Sequence, residues 1–119
     1  MQDLGTAQVQ VGAEFVELSA EAAAAVVAKS PRVEGRGEGD LALELSRTEE
    51  GTYPIVLVSY SIACTQYDDA AQATLVKGFL TYVASEEGQS TAAEAAGSAP
   101  LAEELRPDVE AAIESIATG

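Results

Sequence analysis

The chain contains no histidine, no tryptophan and one cysteine, and only 6 of its 119 residues are Lys or Arg. Each shortage removes a class of chemistry. Without histidine and with Cys64 alone, neither a structural zinc site nor a Ser/His or Cys/His couple can be assembled within the chain. No internal disulfide exists, although Cys64 can pair with another molecule. Against the six cations stand 20 Asp and Glu, a formal net charge of −14. A surface of that sign repels nucleic-acid phosphates and anionic lipid headgroups, so neither is an expected partner. Long apolar runs are also missing: Ile55-Val56-Leu57-Val58 is the longest strongly apolar run and is far too short to cross a bilayer. Met1-Gln2-Asp3-Leu4-Gly5 lacks the basic and apolar regions of a secretory signal. The expectation is a soluble chain with no membrane insertion and no export signal.

What is present describes a folded protein. Hydrophobic residues make up 47% of the sequence, a globular fraction, so the acidity reads as a solvated surface and not as disorder. Residues 7–18 alternate as a β-hairpin does, with Gly12-Ala13 as a two-residue turn. Ser19 is placed to cap a helix over about 20–29, with Ala22, Ala23, Val26 and Val27 on one face and Pro31 as its stop. Residues 34–40 form a glycine-rich connector. Leu41 to Arg47 reads as a short helix or turn whose period is ambiguous, and 48–52 is a second loop. Tyr53 to Cys64 is rich in β-branched and aromatic residues with an unbroken apolar centre, which suits a strand buried on both faces, with Pro54 at its start. Asp68 or Asp69 caps a helix over about 69–84, with Leu75, Val76, Phe79, Leu80 and Val83 on one stripe. Ser85-Glu86-Glu87 starts a second helix that Gly97 ends, and Pro107 opens a third, with Leu105, Val109, Ala112, Ile113 and Ile116 on one face. The fold class is therefore α/β: a hairpin and helix, one long buried strand and three C-terminal helices.

Four features invite a site. Gly35-x-Gly37-x-Gly39 around Arg36 has the amides for an anion nest, but Glu34, Glu38 and Asp40 set three negative charges beside one positive. The spacing matches no nucleotide-binding loop, so a flexible connector is expected. Glu49-Glu50, Asp68-Asp69 and Glu86-Glu87 lack the alternating ligands and turn glycine of a calcium loop; helix capping and solvation account for them. Cys64, at the end of a buried strand, reads as inert packing. Tyr60 and Tyr82 read as packing residues ahead of ligand-stacking ones. No catalytic set, metal site or cofactor is indicated, and an enzyme is not expected.

The run Tyr53-Pro54-Ile55-Val56-Leu57-Val58-Ser59-Tyr60, with Cys64, Tyr67-Asp68-Asp69, Leu75 to Val83 and Ser85-Glu86-Glu87-Gly88-Gln89, resembles the C-terminal part of the phosphate-binding proteins of bacterial phosphate ABC transporters. These belong to the type 2 periplasmic-binding-protein family, and the closest likeness is to members from high-GC Gram-positive bacteria. Ser19 to Val27, Pro31 to Gly37 and Ala96 to Leu101 fit the same pattern, so the resemblance covers nearly the whole chain.

The resemblance implies a partial periplasmic-binding-protein-like fold, from a bilobal protein about three times as long. Residues 1–52 correspond to a piece of the second lobe, and 53–119 to the crossing strand and closing helices of the first. It also implies capture of inorganic phosphate outside the membrane, extracellularly, at the cell surface or in the periplasm, and delivery to an ABC permease. The family's phosphate ligands lie in motifs without counterparts here, so no ligand-binding residue carries over, and Arg36 is not the family's phosphate arginine. The isolated chain is accordingly expected not to bind phosphate. The rival expectation is an interaction module that forms a homo-oligomer through an exposed sheet edge or complements a missing half.

Overall fold

The computed structural model describes residues 5–119; Met1 to Leu4, which belong to the start that lacks the regions of a secretory signal, lie outside the described residues. The hairpin forms as the alternation predicts. Strands β1 (Val9–Val11) and β2 (Glu14–Val16) pair antiparallel, with Val11 opposite Glu14, which leaves Gly12-Ala13 as the loop. Gly12 sits at φ +60°, the conformation that a tight hairpin turn demands and a side chain opposes. Helix α1 (Ala20–Ala28) follows, its first turn capped by Ser19, whose hydroxyl accepts the Ala22 N–H. Ser30 then ties the end of α1 to the next segment: its hydroxyl donates to the Val26 carbonyl at 2.6 Å and accepts the Ser46 N–H at 2.9 Å.

Leu41 to Arg47 is neither helix nor isolated turn. Arg32 and Leu43 form an antiparallel bridge, flanked by Val33 N–H to Ala42 O and Glu44 N–H to Pro31 O, each 2.9 Å. Leu41, Leu43 and Leu45 are all half-buried, so their spacing of two is that of an extended strap, which settles the ambiguous period.

The long buried strand over 53–64 is not formed. Tyr53 is buried and its N–H reaches the Ala22 carbonyl at 3.0 Å. From Ile55 to Ala63, however, no backbone group makes a hydrogen bond to another of the described residues. Leu57 and Ile62 are 94% and 95% exposed. The local sequence is that of a strand, but a strand needs neighbours, and the described residues supply none.

Beyond it, strand β3 (Gln66–Tyr67) leads into helix α2 (Ala70–Ala84), capped by Asp69. Helix α3 (Glu86–Ala96) begins after a single residue, Ser85, which ends α2 and caps α3 together: its hydroxyl donates to Tyr82 O and accepts the Gly88 N–H. Gly97, at φ +69°, ends α3. A 3₁₀ turn, Glu103–Leu105, precedes helix α4 (Arg106–Glu114), which has Pro107 in its first turn. Strand β4 (Ala117–Thr118) returns to pair parallel with β3.

Helices α2, α3 and α4 pack as one group, with α2 touching both others. Two long cations join α2 and α4. Lys77 Nζ donates to the Glu114 and Ile116 carbonyls at 3.0 and 3.2 Å, and Arg106 Nη1 donates to the Ala84 carbonyl at 2.8 Å. Three of the five residues of the predicted α2 stripe are partly covered. Ala73 is buried and Val76, Leu80 and Val83 are half-buried, whereas Leu75 and Phe79 are 74% and 65% exposed.

The buried apolar set is small: Val11, Val26, Tyr53, Ala73 and Ile116. The chain exposes 8370 Å², where a compact monomer of this mass exposes about 6,100 Å². Its radius of gyration is 16.5 Å, against about 13.5 Å for a compact chain of this length. The fold is well capped locally and thinly covered globally.

Candidate functional site

Each sequence candidate has a defined place. In the glycine-rich connector, Arg36 Nε donates to Asp40 Oδ2 at 2.6 Å, and Asp40 Oδ1 accepts the Ala42 N–H at 3.0 Å. The Ala42 amide, and after it Arg36, holds the Asp40 carboxyl below the usual carboxylate range. An anion that used the Arg36 guanidinium at these glycines would have to displace that carboxylate. The acidic pairs do not converge. Glu49 accepts the Ser46 hydroxyl, Asp69 caps α2 through the Ala71 N–H, and Glu86 and Glu87 are exposed in the first turn of α3. Among the described residues no three His, Cys, Asp or Glu cluster as metal ligands.

Cys64 is exposed, which corrects its expected burial. Its burial depended on the strand that does not form; its own N–H donates to the Tyr67 hydroxyl at 3.1 Å. Tyr60 accepts the Leu43 N–H on its hydroxyl at 3.1 Å, which anchors the extended segment to the strap beneath, and Tyr82 is half-exposed on α2.

The cations decide what the surface can hold. All six are engaged within the chain. Lys29 donates to Glu50 O, Arg32 pairs with Asp108, Arg36 with Asp40, and Arg47 donates to Pro54 O. Lys77 and Arg106 close helix ends as described, and Arg106 also pairs with Glu103 at 3.1 Å. Sequence reading weighed Arg36 and overlooked the other five as anchors, because their partners are mostly carbonyls brought close by folding. Gly88 was missed as a contact residue too. A side chain there would put its Cβ 2.0 Å from the Tyr82 carbonyl oxygen. A glycine inside the first turn of a helix is the signal that marks such an approach.

Two concavities stand out among the described residues. One, of about 420 Å³, lies beside the hairpin and is lined by Thr6, Ala7, Gln8, Glu17 and Leu18; Glu17 there accepts Gln8 Nε2 at 2.7 Å and disfavours an anion. The other, of about 490 Å³, is an apolar groove between the extended segment and α2, with Ile62, Ala63, Leu75, Val76, Phe79 and Leu80 on its walls. It offers apolar surface and few polar groups, which suits another polypeptide better than a small ion. No described helix is long and apolar enough to cross a membrane.

Comparison with known proteins agrees in one direction. The chain is 32% identical over 121 residues to the phosphate-binding protein PstS2 of Mycobacterium tuberculosis, covering 97% of this chain and 32% of that protein. The likeness to the phosphate-binding protein PstS2 of Mycobacterium bovis has the same extent. The chain thus spans about a third of the length of the curated relatives it matches. These relatives are named as binding proteins, not as enzymes. No protein-family model matches the chain, and no solved structure does.

Proposed function

We propose that the chain belongs to the phosphate-binding proteins of bacterial phosphate ABC transporters and represents their C-terminal third. Residues 1–52 would then be a piece of the second lobe, and 53–119 the crossing segment and closing helices of the first. The observation that carries this reading is the likeness along 97% of the chain to proteins three times as long. A periplasmic-binding-protein-like fold follows from it as part of the same proposal. So does work outside the membrane, at the cell surface or in the periplasm: capture of inorganic phosphate by lobe closure and its delivery to an ABC permease.

The chain's own share of that task is structural. A desolvated phosphate needs several convergent donors, and here every Lys and Arg is already bonded to a carbonyl or carboxylate. Phosphate ligands would come from the remaining two thirds, while this chain supplies a part of each lobe and the segment that crosses between them. Calorimetric titration of inorganic phosphate into the isolated chain should give no heat beyond dilution; a micromolar or tighter dissociation constant would overturn this assignment of roles. A chimaera in which the chain replaces the matching segment of the Mycobacterium tuberculosis relative should bind phosphate. A folded chimaera that fails to bind would remove the family reading.

A second reading is favoured by the bare segment from Ile55 to Ala63 and its apolar groove. In it the chain is an interaction module that takes a partner along this edge.

A further inference from the structure

We infer that two copies of this chain pair antiparallel through residues 55–63, on a two-fold axis at Ser59. This rests on the second reading above and not on phosphate. The first ground is the backbone: nine successive residues lie in no helix, strand, turn or bend, and none of their N–H or C=O groups is bonded to another of the described residues. Edge strands that stay single are guarded by charged residues, prolines or bulges. Here a chain of net charge −14 has no charged residue from Gly51 to Tyr67, and its only proline in that stretch is Pro54, before the bare segment. Nothing guards the edge.

The second ground is area. The surface exposed beyond that of a compact monomer is about 2,300 Å², whereas a stable association needs about 800 Å² from each partner. Ile55, Leu57 and Ile62 on the segment, with Leu75 and Phe79 across the groove, hold much of the exposed apolar surface.

The third ground is self-complementarity. A two-fold axis makes identical strands antiparallel, and centring it on Ser59 uses all nine residues. Val58 then faces Tyr60 of the second copy, and Val56 faces Ile62 of the second copy. Both are favourable β-branched pairings, the first with an aromatic ring. The same register brings Glu49-Glu50 of one copy toward Asp68-Asp69 of the other at each end of the ladder. Those like charges oppose pairing and are screened by salt.

The test is sedimentation velocity on the pure chain across protein and salt concentration, with amide exchange read in parallel. The expected result is a dimer whose population rises with salt, and exchange at 56–62 slowed about tenfold or more upon dimerisation. Leu57→Lys with Ile62→Lys places charges at two positions already in solvent, so the monomer keeps its fold while the dimer dissociation constant rises roughly a hundredfold. A dimer indifferent to the double substitution would overturn the proposal. So would a strict monomer at high salt and high concentration. If that monomer exchanges rapidly at 56–62, the self-pairing alone fails and the edge remains open to another polypeptide; if it is already protected there, the module reading fails as well.

Discussion

Two glycines lie inside helices of this chain and should answer the same substitution with opposite signs. At Gly88 the added methyl would meet the Tyr82 carbonyl oxygen at 2.0 Å and the Val83 Cα at 3.3 Å. Non-bonded heavy atoms rest at roughly 3.5 Å, so α2 and α3 would have to part by about 1.5 Å at their corner. That corner holds the Gly88 N–H on the Ser85 hydroxyl at 3.1 Å and Gln89 Nε2 on the Val83 carbonyl at 2.7 Å. Overpacking costs about 1–3 kcal/mol, and the two strained bonds cost roughly 1 kcal/mol each. Alanine returns about 1 kcal/mol of helix propensity. The net expectation for Gly88→Ala is a loss of about 2–4 kcal/mol. Gly78, in α2, has nothing within 4 Å of where its Cβ would stand. Gly78→Ala should therefore stabilise by about 0.5–1 kcal/mol. Urea titration followed by far-ultraviolet circular dichroism, at one low protein concentration so that association does not intrude, measures both. A Gly88→Ala protein within about 0.5 kcal/mol of the parent would refute the close corner. A Gly78→Ala protein that loses stability would refute the open one.

The other expectations are simpler to read. Calorimetry should find the isolated chain silent toward phosphate, and sedimentation should find it dimeric, as set out above. At protein concentrations low enough to keep the chain monomeric, Cys64, being exposed, should react with a thiol reagent at nearly its denatured rate; strong protection of the monomer would mean that the segment before it is covered within the chain. Acid should loosen the start of α1 and the connector. Glu21 is held low by its own backbone N–H and then by Ser19, and Asp40 by the Ala42 amide and then by Arg36. Their folded pKa values lie below the unfolded ones, so their contribution is complete above roughly pH 5 and disappears as pH falls through the folded values. Carboxyl titration midpoints by NMR at or above the ordinary carboxylate value would contradict this.

Local chemistry made most of the elements legible, and long-range pairing made the rest illegible. Gly12-Ala13, Ser19, Asp69, Ser85, Gly97 and Pro107 each act within a few residues, and the structure places all of them where their chemistry suggests. The run from Tyr53 to Cys64 has the composition of a buried strand, but burial depends on neighbours that a local pattern cannot supply. Cys64 followed the same error. On α2 the five apolar residues span a wide arc, and only the part facing α3 and α4 is covered, leaving Leu75 and Phe79 outside. The strap from Leu41 to Arg47 could not be assigned because three alternating leucines fit two periods. The helix-end closures by Lys77 and Arg106 carry no local signal, since their acceptor carbonyls lie 37 and 22 residues away.

Those two cations have a consequence for how the C-terminal half comes apart. Neither α2 nor α4 carries a basic residue in its own last turn, where orphan carbonyls and the negative dipole end call for one. Each borrows it from the other: the lysine of α2 closes α4, and the arginine of α4 closes α2. The arrangement is a reciprocal latch: beyond what Ser85 gives α2, each helix leaves its last carbonyl without that partner while its mate is unfolded. Opening one latch therefore weakens the other, and α2 and α4 melt as a single cooperative unit. The far end of α3 owes its closure only to its own Gly97, so it frays on its own account without releasing the pair.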